Sequence, residues 1–527
     1  MTSVATPQAA LDDLREHLGS RRRQETDPFD TLYRIYVSGL LGLFGFYLAL
    51  GLVDDVAIDP TRIEWARTQG PLWVSLVAAV AIMIGVRSGA NGGPLAIDDL
   101  ELHHVLLSPI DRATALRTPT WRMLRAAAGI GALLGAAAGE LASRRLPGDQ
   151  MEWVAAGLLL GIGISLSGVG VAFLSAALPS LRRPLIALSV VPVAWAALDL
   201  WLGSATSPTT GFGDLAFWPL DPRPIAAVAI VITVAAAVGG WLVRSRLSIE
   251  RAHHRSQLVA QIRFAFAQQD IRSLLLLRRQ LAFETPRRRP WFRIGEGGRI
   301  ENRFPILVRD ARSYARWPLS RIIRVSGLAV IAGLAVAAMW HGTTALIAVG
   351  GVALYLAAIE VIEPLSQELD HPGMLELIPV APGHIAVGHV AAAAIAMSVV
   401  WIGVASVATL ATLDWQVGTA MAIAALPGAT AAVAAGALSI KRFDSPAMVV
   451  PAEVEGPRTL YRLLWPPLLT TAGVLPVLMA RRAVFLDEPW VQPTTTVACI
   501  VALVAAASVG WIRARDDFSM AAQEHMK

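Results

Sequence analysis

Residues 244–321 read RSRLSIERAHHRSQLVAQIRFAFAQQDIRSLLLLRRQLAFETPRRRPWFRIGEGGRIENRFPILVRDARSYARWPLSR. The stretch holds 18 Arg, no Lys and six acidic residues, a net of +12, whereas the whole chain carries only +5. On either side lie apolar runs of about 20 residues, the length that crosses a bilayer as a helix. A basic segment between such runs is expected on the cytoplasmic side of a membrane. The chain therefore reads as two membrane-embedded halves, 31–243 and 322–512, joined by a basic bridge. A polar segment at 1–30 precedes them and a tail at 513–527 follows, both expected to be cytoplasmic.

Composition agrees. Of 527 residues, 55% are hydrophobic and 16% charged, with a mean hydropathy of +0.54, outside the usual range of soluble domains. The basic balance does not point to nucleic acid, because basic patterns interleaved with aromatics are missing. It suits an anionic inner leaflet instead. Cys499 is the single cysteine, so an internal disulfide is excluded. Residues 1–30 show no secretory signal pattern, and the first apolar run is expected to remain as a span.

Hydropathy gives six spans in the first half, near 33–53, 72–88, 124–142, 151–179, 184–203 and 224–243. It gives six in the second, near 322–340, 343–362, 385–411, 417–439, 463–480 and 494–512. The expected fold is thus all-α and polytopic, about 12 transmembrane helices in two six-helix halves. The run at 151–179 is long enough to be tilted or broken. The segments 54–71 and 204–222 are expected as outer loops, the latter with Asp214 and Asp221 and no basic residue. Arg144 and Arg145 fall outside, against the rule.

An amphipathic segment precedes each half, at 7–23 and 302–318. The second carries Arg309, Arg312, Arg316 and Trp317, as suits a helix in the headgroup plane with its arginines toward lipid phosphate. A solvated charged helix is the alternative. Residues 244–285 read as a long helix, and 286–301 as a Pro/Gly linker.

The halves also share a pattern. Pro94-Leu95, eleven residues and Leu107-Ser108-Pro109 recur 270 residues later as Pro364-Leu365, eleven residues and Leu377-Ile378-Pro379. Asp98 matches Glu368 at the same offset, and the six-span register repeats with it. An even number of spans per half implies a parallel pseudo-two-fold along the membrane normal. Each repeated loop suits a short surface helix, and two such helices would offer a two-fold platform to a two-fold partner.

In this layout the chain resembles permease subunits of bacterial ABC exporters, of the actinobacterial type with two fused six-span halves. The residues that carry the resemblance are GGPLAIDDLELHHVLLSPIDRATAL at Gly92–Leu116, EPLSQELDHPGMLELIPVAPGH at Glu363–His384, and ILVRDARSYARWPLSR at Ile306–Arg321. The resemblance implies that each repeated loop is a coupling helix docking on a separate ATPase. It points to Leu106, Leu107, Pro109, Asp111 and Arg112 in the first copy, and to Leu377, Pro379 and Pro382 in the second. It makes 306–321 an interfacial elbow helix. The implied partners are two ATP-binding-cassette subunits holding ATP and magnesium, the lipid membrane and a transported solute.

The chain itself has no phosphate-binding loop. Such a loop needs a Lys after Gly, and the only lysines are Lys441, after Ile440, and the terminal Lys527. Neither a zinc motif nor a nucleophile elbow is present, so no cofactor, metal or catalytic residue is assigned. Ionisable residues within spans are candidate gate positions: Asp199 between Trp195 and Trp201, and Glu360 with Glu363 at the end of span eight. For the two glutamates, pairing with bridge arginines is favoured over proton carriage. Gly131, Gly135 and Gly139, with Gly157 and Gly161, form stripes that permit close helix packing. Three functions are weighed: an exporter permease for a hydrophobic or amphipathic solute, a secondary transporter driven by an ion gradient, and a membrane enzyme for lipid-linked substrates.

Overall fold

The computed structural model describes residues 60–90, 93–95, 111–247, 287–295, 299–369, 380, 382–440 and 464–525. No β-strand occurs among them. The chain forms two compact units, Met1–Arg263 and Phe264–Lys527, which divide within the basic bridge. The first contains α1 (Pro60–Ala90), α2 (Arg112–Ala115), α3 (Arg117–Ser143), α4 (Gln150–Ala176), α5 (Arg182–Leu188), α6 (Val190–Leu202), α7 (Thr210–Ala216) and α8 (Ala226–Leu242). The second contains α9 (Arg299–Arg303), α10 (Pro305–Tyr314), α11 (Leu319–Trp340), α12 (Leu346–Val361), α13 (Glu363–Leu369), α14 (Pro382–Thr412) and α15 (Trp415–Ile440). It closes with α16 (Leu464–Ala472), α17 (Leu475–Phe485) and α18 (Val491–His525).

Nine helices among the described residues are long and apolar enough to cross a membrane, and eleven when each of two bent pairs counts as one span. Large apolar side chains cover their outer faces: Leu133 is 71% exposed, Val399 67% and Leu503 70%. A water-soluble bundle would bury such residues, whereas lipid solvates them. The protein is a multi-pass α-helical membrane protein. The expected span at 33–53 lies outside the described residues.

In the first unit the packing of α3 on α4 follows from glycine. A Cβ on Gly135 would stand 2.0 Å from the Gly157 carbonyl oxygen, and one on Gly131 would stand 2.3 Å from that of Gly161. The two antiparallel helices touch backbone to backbone along these positions, so the glycine stripes are packing surfaces. Asp149 caps α4, its carboxylate accepting from the Met151 and Glu152 amides at 2.9 and 3.2 Å. The helix then runs unbroken through 151–176, without the break its length allowed.

Several expected boundaries move. Residues 60–71, expected in an outer loop, open α1, because a Pro at 60 suits a first helical turn. The expected loop at 204–222 contains a helix, α7, whose residues Thr210–Leu215 are all buried. The tail expected from 513 continues α18 to His525. The expected amphipathic helix at 302–318 divides at Phe304 into α9 and α10, since Pro305 starts a new first turn.

The core of the second unit joins α11, α12, α14, α15 and α17 around Trp401, Met421 and Leu354. Trp401 is fully buried, and its indole N–H donates to the Met421 carbonyl at 3.1 Å. Two of its spans bend. Helices α12 and α13 meet at 51°, and α16 and α17 at 44°. A proline stands just after each bend, Pro364 and Pro476, removing an N–H from the helical ladder.

Candidate functional site

The bend at Pro364 organises the site. Pro364 has no N–H to offer the Glu360 carbonyl four residues back. The Leu365 amide turns to Ile362 at 3.0 Å, which leaves the Val361 carbonyl without its helical donor. Both acceptors are filled from outside the helix. The Arg321 guanidinium donates to the Glu360 carbonyl oxygen, and the Tyr314 hydroxyl donates to that of Val361 at 3.0 Å. Burial, and next the charge of Asp310, pushes the Tyr314 hydroxyl well above the ordinary tyrosine range, which keeps it a donor.

Around this bend sits a buried ionic cluster. Arg321 pairs with the Glu363 carboxylate and lies 3.3 Å from that of Glu360. Arg324 reaches both oxygens of Glu360, at 2.8 and 3.2 Å. Trp317 lies under the Arg321 guanidinium, 4.3 Å from ring centre to Cζ. Glu360 and Glu363 therefore hold the last arginine of the basic stretch.

A second cluster ties α10 to α14 and α13. His389, with its side chain fully buried, places Nδ1 2.7 Å from Asp310 Oδ2 and Nε2 3.3 Å from Glu368 Oε2. Arg309 pairs with Glu368 and stands 3.2 Å from His389 Nε2. Arg312 donates to both oxygens of Glu301, at 2.6 and 3.0 Å. Two of the arginines expected to reach lipid phosphate, Arg309 and Arg312, are thus engaged in ion pairs with Glu368 and Glu301; Arg309 stays half-exposed in its pair, and Arg316 is exposed. The reason is the company they keep: Glu301 and Glu368 lie within reach of the elbow helix, and a charge-assisted pair forms in preference to a solvated side chain.

Beside these anchors lies an apolar cavity of about 560 Å³, within the size range of small-molecule and lipid sites. Helices α10, α11 and α14 wall it, with Leu307, Tyr314, Val325, Ala396 and Val407 among its lining. Phe292, from the linker before α9, also lines it. Ile395 and Val399 line it while remaining 59% and 67% exposed, so the cavity opens sideways through the outer face of α14. Ser326, Tyr314 and Trp317 are the lining residues that carry a polar side-chain atom.

The other expected site residues are placed as follows. Leu106, Leu107, Pro109, Leu377 and Pro379 lie outside the described residues. Asp111 caps α2, accepting from the Thr114 amide at 3.2 Å, and Arg112 is exposed at the first position of that helix. Pro382 opens α14. Asp199 is 2% exposed and accepts from Ser204 Oγ, Thr206 Oγ1 and the Thr206 and Ser207 amides at 2.6–2.9 Å. Its carboxylate is fully engaged in folding the 204–209 turn, which Ser207 and Thr209 then pin to Ser75 of α1.

The pairing of His389 with Asp310 was missed by sequence reasoning. One signal pointed to it: Asp310 is the single acid within the Arg-rich elbow, and His389 stands in an otherwise apolar run. Among the described residues no group of His, Cys, Asp and Glu is arranged to hold a metal ion.

Compared with known proteins, the chain matches no family model, no curated protein and no solved structure.

Proposed function

We propose that the protein is the membrane permease of an ATP-driven exporter, moving a hydrophobic or amphipathic solute with ATP hydrolysed by two separate subunits. The observation that carries this reading is the lateral apolar cavity set against a clamped elbow helix. A solute drawn from the bilayer needs an entrance at lipid level and a wall that can move as a unit. The anchored elbow supplies both, because α10 is fastened to α12, α13 and α14 by hydrogen bonds and ion pairs. The repeated loops agree with the reading by position. One leads into Asp111 at the cap of α2, and the other follows α13 and leads into α14.

In this account the chain holds twelve spans in two halves related by a pseudo-two-fold, with the basic bridge in the cytoplasm. ATP-driven closure of the partner subunits would pull on the loops at 96–110 and 370–379. In the second half that pull reaches Glu368 and the bend at Pro364 first. At the 270-residue offset Glu360, Glu363 and His389 correspond to Ala90, Gly93 and Pro119, so the ionic anchor belongs to one half alone. The two docking loops differ as well, Asp111-Arg112 standing opposite Ala381-Pro382.

The test is co-purification with a candidate ATP-binding-cassette ATPase subunit. The wild-type protein should retain it in detergent, and Leu107→Asp with Leu377→Asp should release it without lowering the permease's melting temperature. Failure of the wild type to retain any ATPase would remove the proposal.

A further inference from the structure

The cavity has a chemical polarity that names its occupant. Its lining spans Ala392 to Val407 on α14, about 22 Å at 1.5 Å per residue. That exceeds one hydrocarbon leaflet, which is about 15 Å, half of a 30 Å core. The deep end is wholly apolar, with Val330, Gly403 and Val407. The other end is lined by Phe292 and Trp317, whose chain neighbours Arg293 and Arg316 are exposed.

The segment 287–293 brings further arginines to the end of α10. It returns onto the end of α10, where the Arg287 amide donates to the Arg316 carbonyl at 3.0 Å and the Trp291 amide to that of Ala315 at 2.8 Å. The Trp291 indole donates to the Trp317 carbonyl at 2.9 Å, and Arg287 stacks on the Trp291 ring at 3.6 Å. Carbonyls left open at the end of α10 are satisfied in this way. The same hydrogen bonds hold the segment carrying Arg288, Arg289 and Arg293 against the end of α10, where Arg316 stands; all four are exposed, and Arg293 and Arg316 adjoin the cavity-lining Phe292 and Trp317 in sequence. Among the described residues none of the four pairs with a carboxylate, unlike Arg309 and Arg312. Four exposed arginines beside an amphipathic helix suit an anionic headgroup.

We propose that this cavity binds one anionic phospholipid, an acyl chain lying along α14 to Gly403 and the phosphate resting among Arg288, Arg289, Arg293 and Arg316. The inference stands apart from the permease reading, since lipid binding and ATPase capture are separate readouts.

Two substitutions separate the ends of the site. A Cβ on Gly403 meets nothing nearer than the Ala329 Cβ at 3.9 Å, so Gly403→Leu fills the cavity without striking backbone. The quadruple change of Arg288, Arg289, Arg293 and Arg316 to Gln removes the four exposed cations. The experiment titrates full-length, delipidated protein in detergent with dioleoylphosphatidylglycerol or dioleoylphosphatidylcholine and counts bound lipid by native mass spectrometry. The tightest site of the wild type should prefer phosphatidylglycerol by roughly tenfold. The quadruple variant should lose that preference, and Gly403→Leu should weaken both lipids at that site. Melting temperatures check folding, and Arg293→Gln and Arg316→Gln, each alone, serve if the quadruple variant does not fold. Equal affinity for the two lipids in the wild type, or unchanged binding in Gly403→Leu, would overturn the proposal.

Discussion

His389 Nδ1 lies 2.7 Å from Asp310 Oδ2, and neither side chain is more than 1% exposed. The pair joins α10 to α14 across 79 residues of sequence. Asp310 Oδ1 accepts no hydrogen bond, and the nearest cation to it is Arg309 Nε at 3.9 Å. His389→Ala removes the sole partner of Oδ2 and leaves a buried acid, which costs about 3–5 kcal/mol when a buried pair is broken. Removing Asp310 as well should recover part of that loss, because the two effects are coupled. Thermal unfolding in detergent of both single variants and the double variant measures this. Additive losses would show that the pair does not bind α10 to α14.

The glycine contact between α3 and α4 makes a prediction of contrast. Gly135→Ala puts a methyl 2.0 Å from the Gly157 carbonyl oxygen and must drive the helices apart. A loss of about 1–3 kcal/mol is expected from such overpacking. Gly129 lies on the same helix with nothing within 4 Å of its would-be Cβ. Gly129→Ala should be neutral to within about 0.5 kcal/mol. Denaturation in mixed detergent compares the two directly.

Asp214 sets an acid-range dependence in the first unit. Burial raises its carboxyl above the ordinary aspartate value, while Arg223, 3.6 Å away, lowers it and Asp221 raises it. A raised folded value means that the folded protein holds the proton to higher pH. This group's favourable contribution is full below the unfolded value of about 3.9 and is lost as pH rises through the folded one. Asp214→Asn should flatten that decline, and Arg223→Gln should steepen and extend it. Melting temperature against pH, from about 3.5 to 7, reads both slopes.

Topology is open to chemistry because Cys499 is the single cysteine. In a Cys499→Ser background, a cysteine replacing Arg288 should react with membrane-impermeant maleimide only in inverted vesicles. One replacing Asp221 should react from the outside of whole cells. Labelling of both positions from the same side would contradict an odd number of spans between them.

Apolar run length alone made the helical membrane class readable, because lipid rewards the same residues everywhere along a span. Packing by glycine was legible too, since Gly131, Gly135 and Gly139 repeat at one helical turn. The ionic anchors were only half legible. Glu360 and Glu363 stood out as acids at a span end, but their partners depend on a bend that Pro364 makes and on carbonyls it strands. Arg309 and Arg312 looked lipid-facing because periodicity reports a helix's faces without reporting which acids fold back onto them. Asp199 gave no sign of the turn it holds for a similar reason. Its four donors come from the five residues after α6, and a turn's hydrogen bonds leave no periodic trace.

The proposed ATP-driven transport by this chain with separate ATPase subunits is open to direct measurement. Proteoliposomes holding the permease and its co-purified ATPase, loaded with a fluorescent amphiphile, test it most directly. ATP and magnesium should drive flux, and Leu107→Asp with Leu377→Asp should abolish it while leaving the permease folded. Flux that ignores ATP and follows an imposed proton gradient would contradict the account, and would direct attention to His389, Asp310 and Glu368 instead.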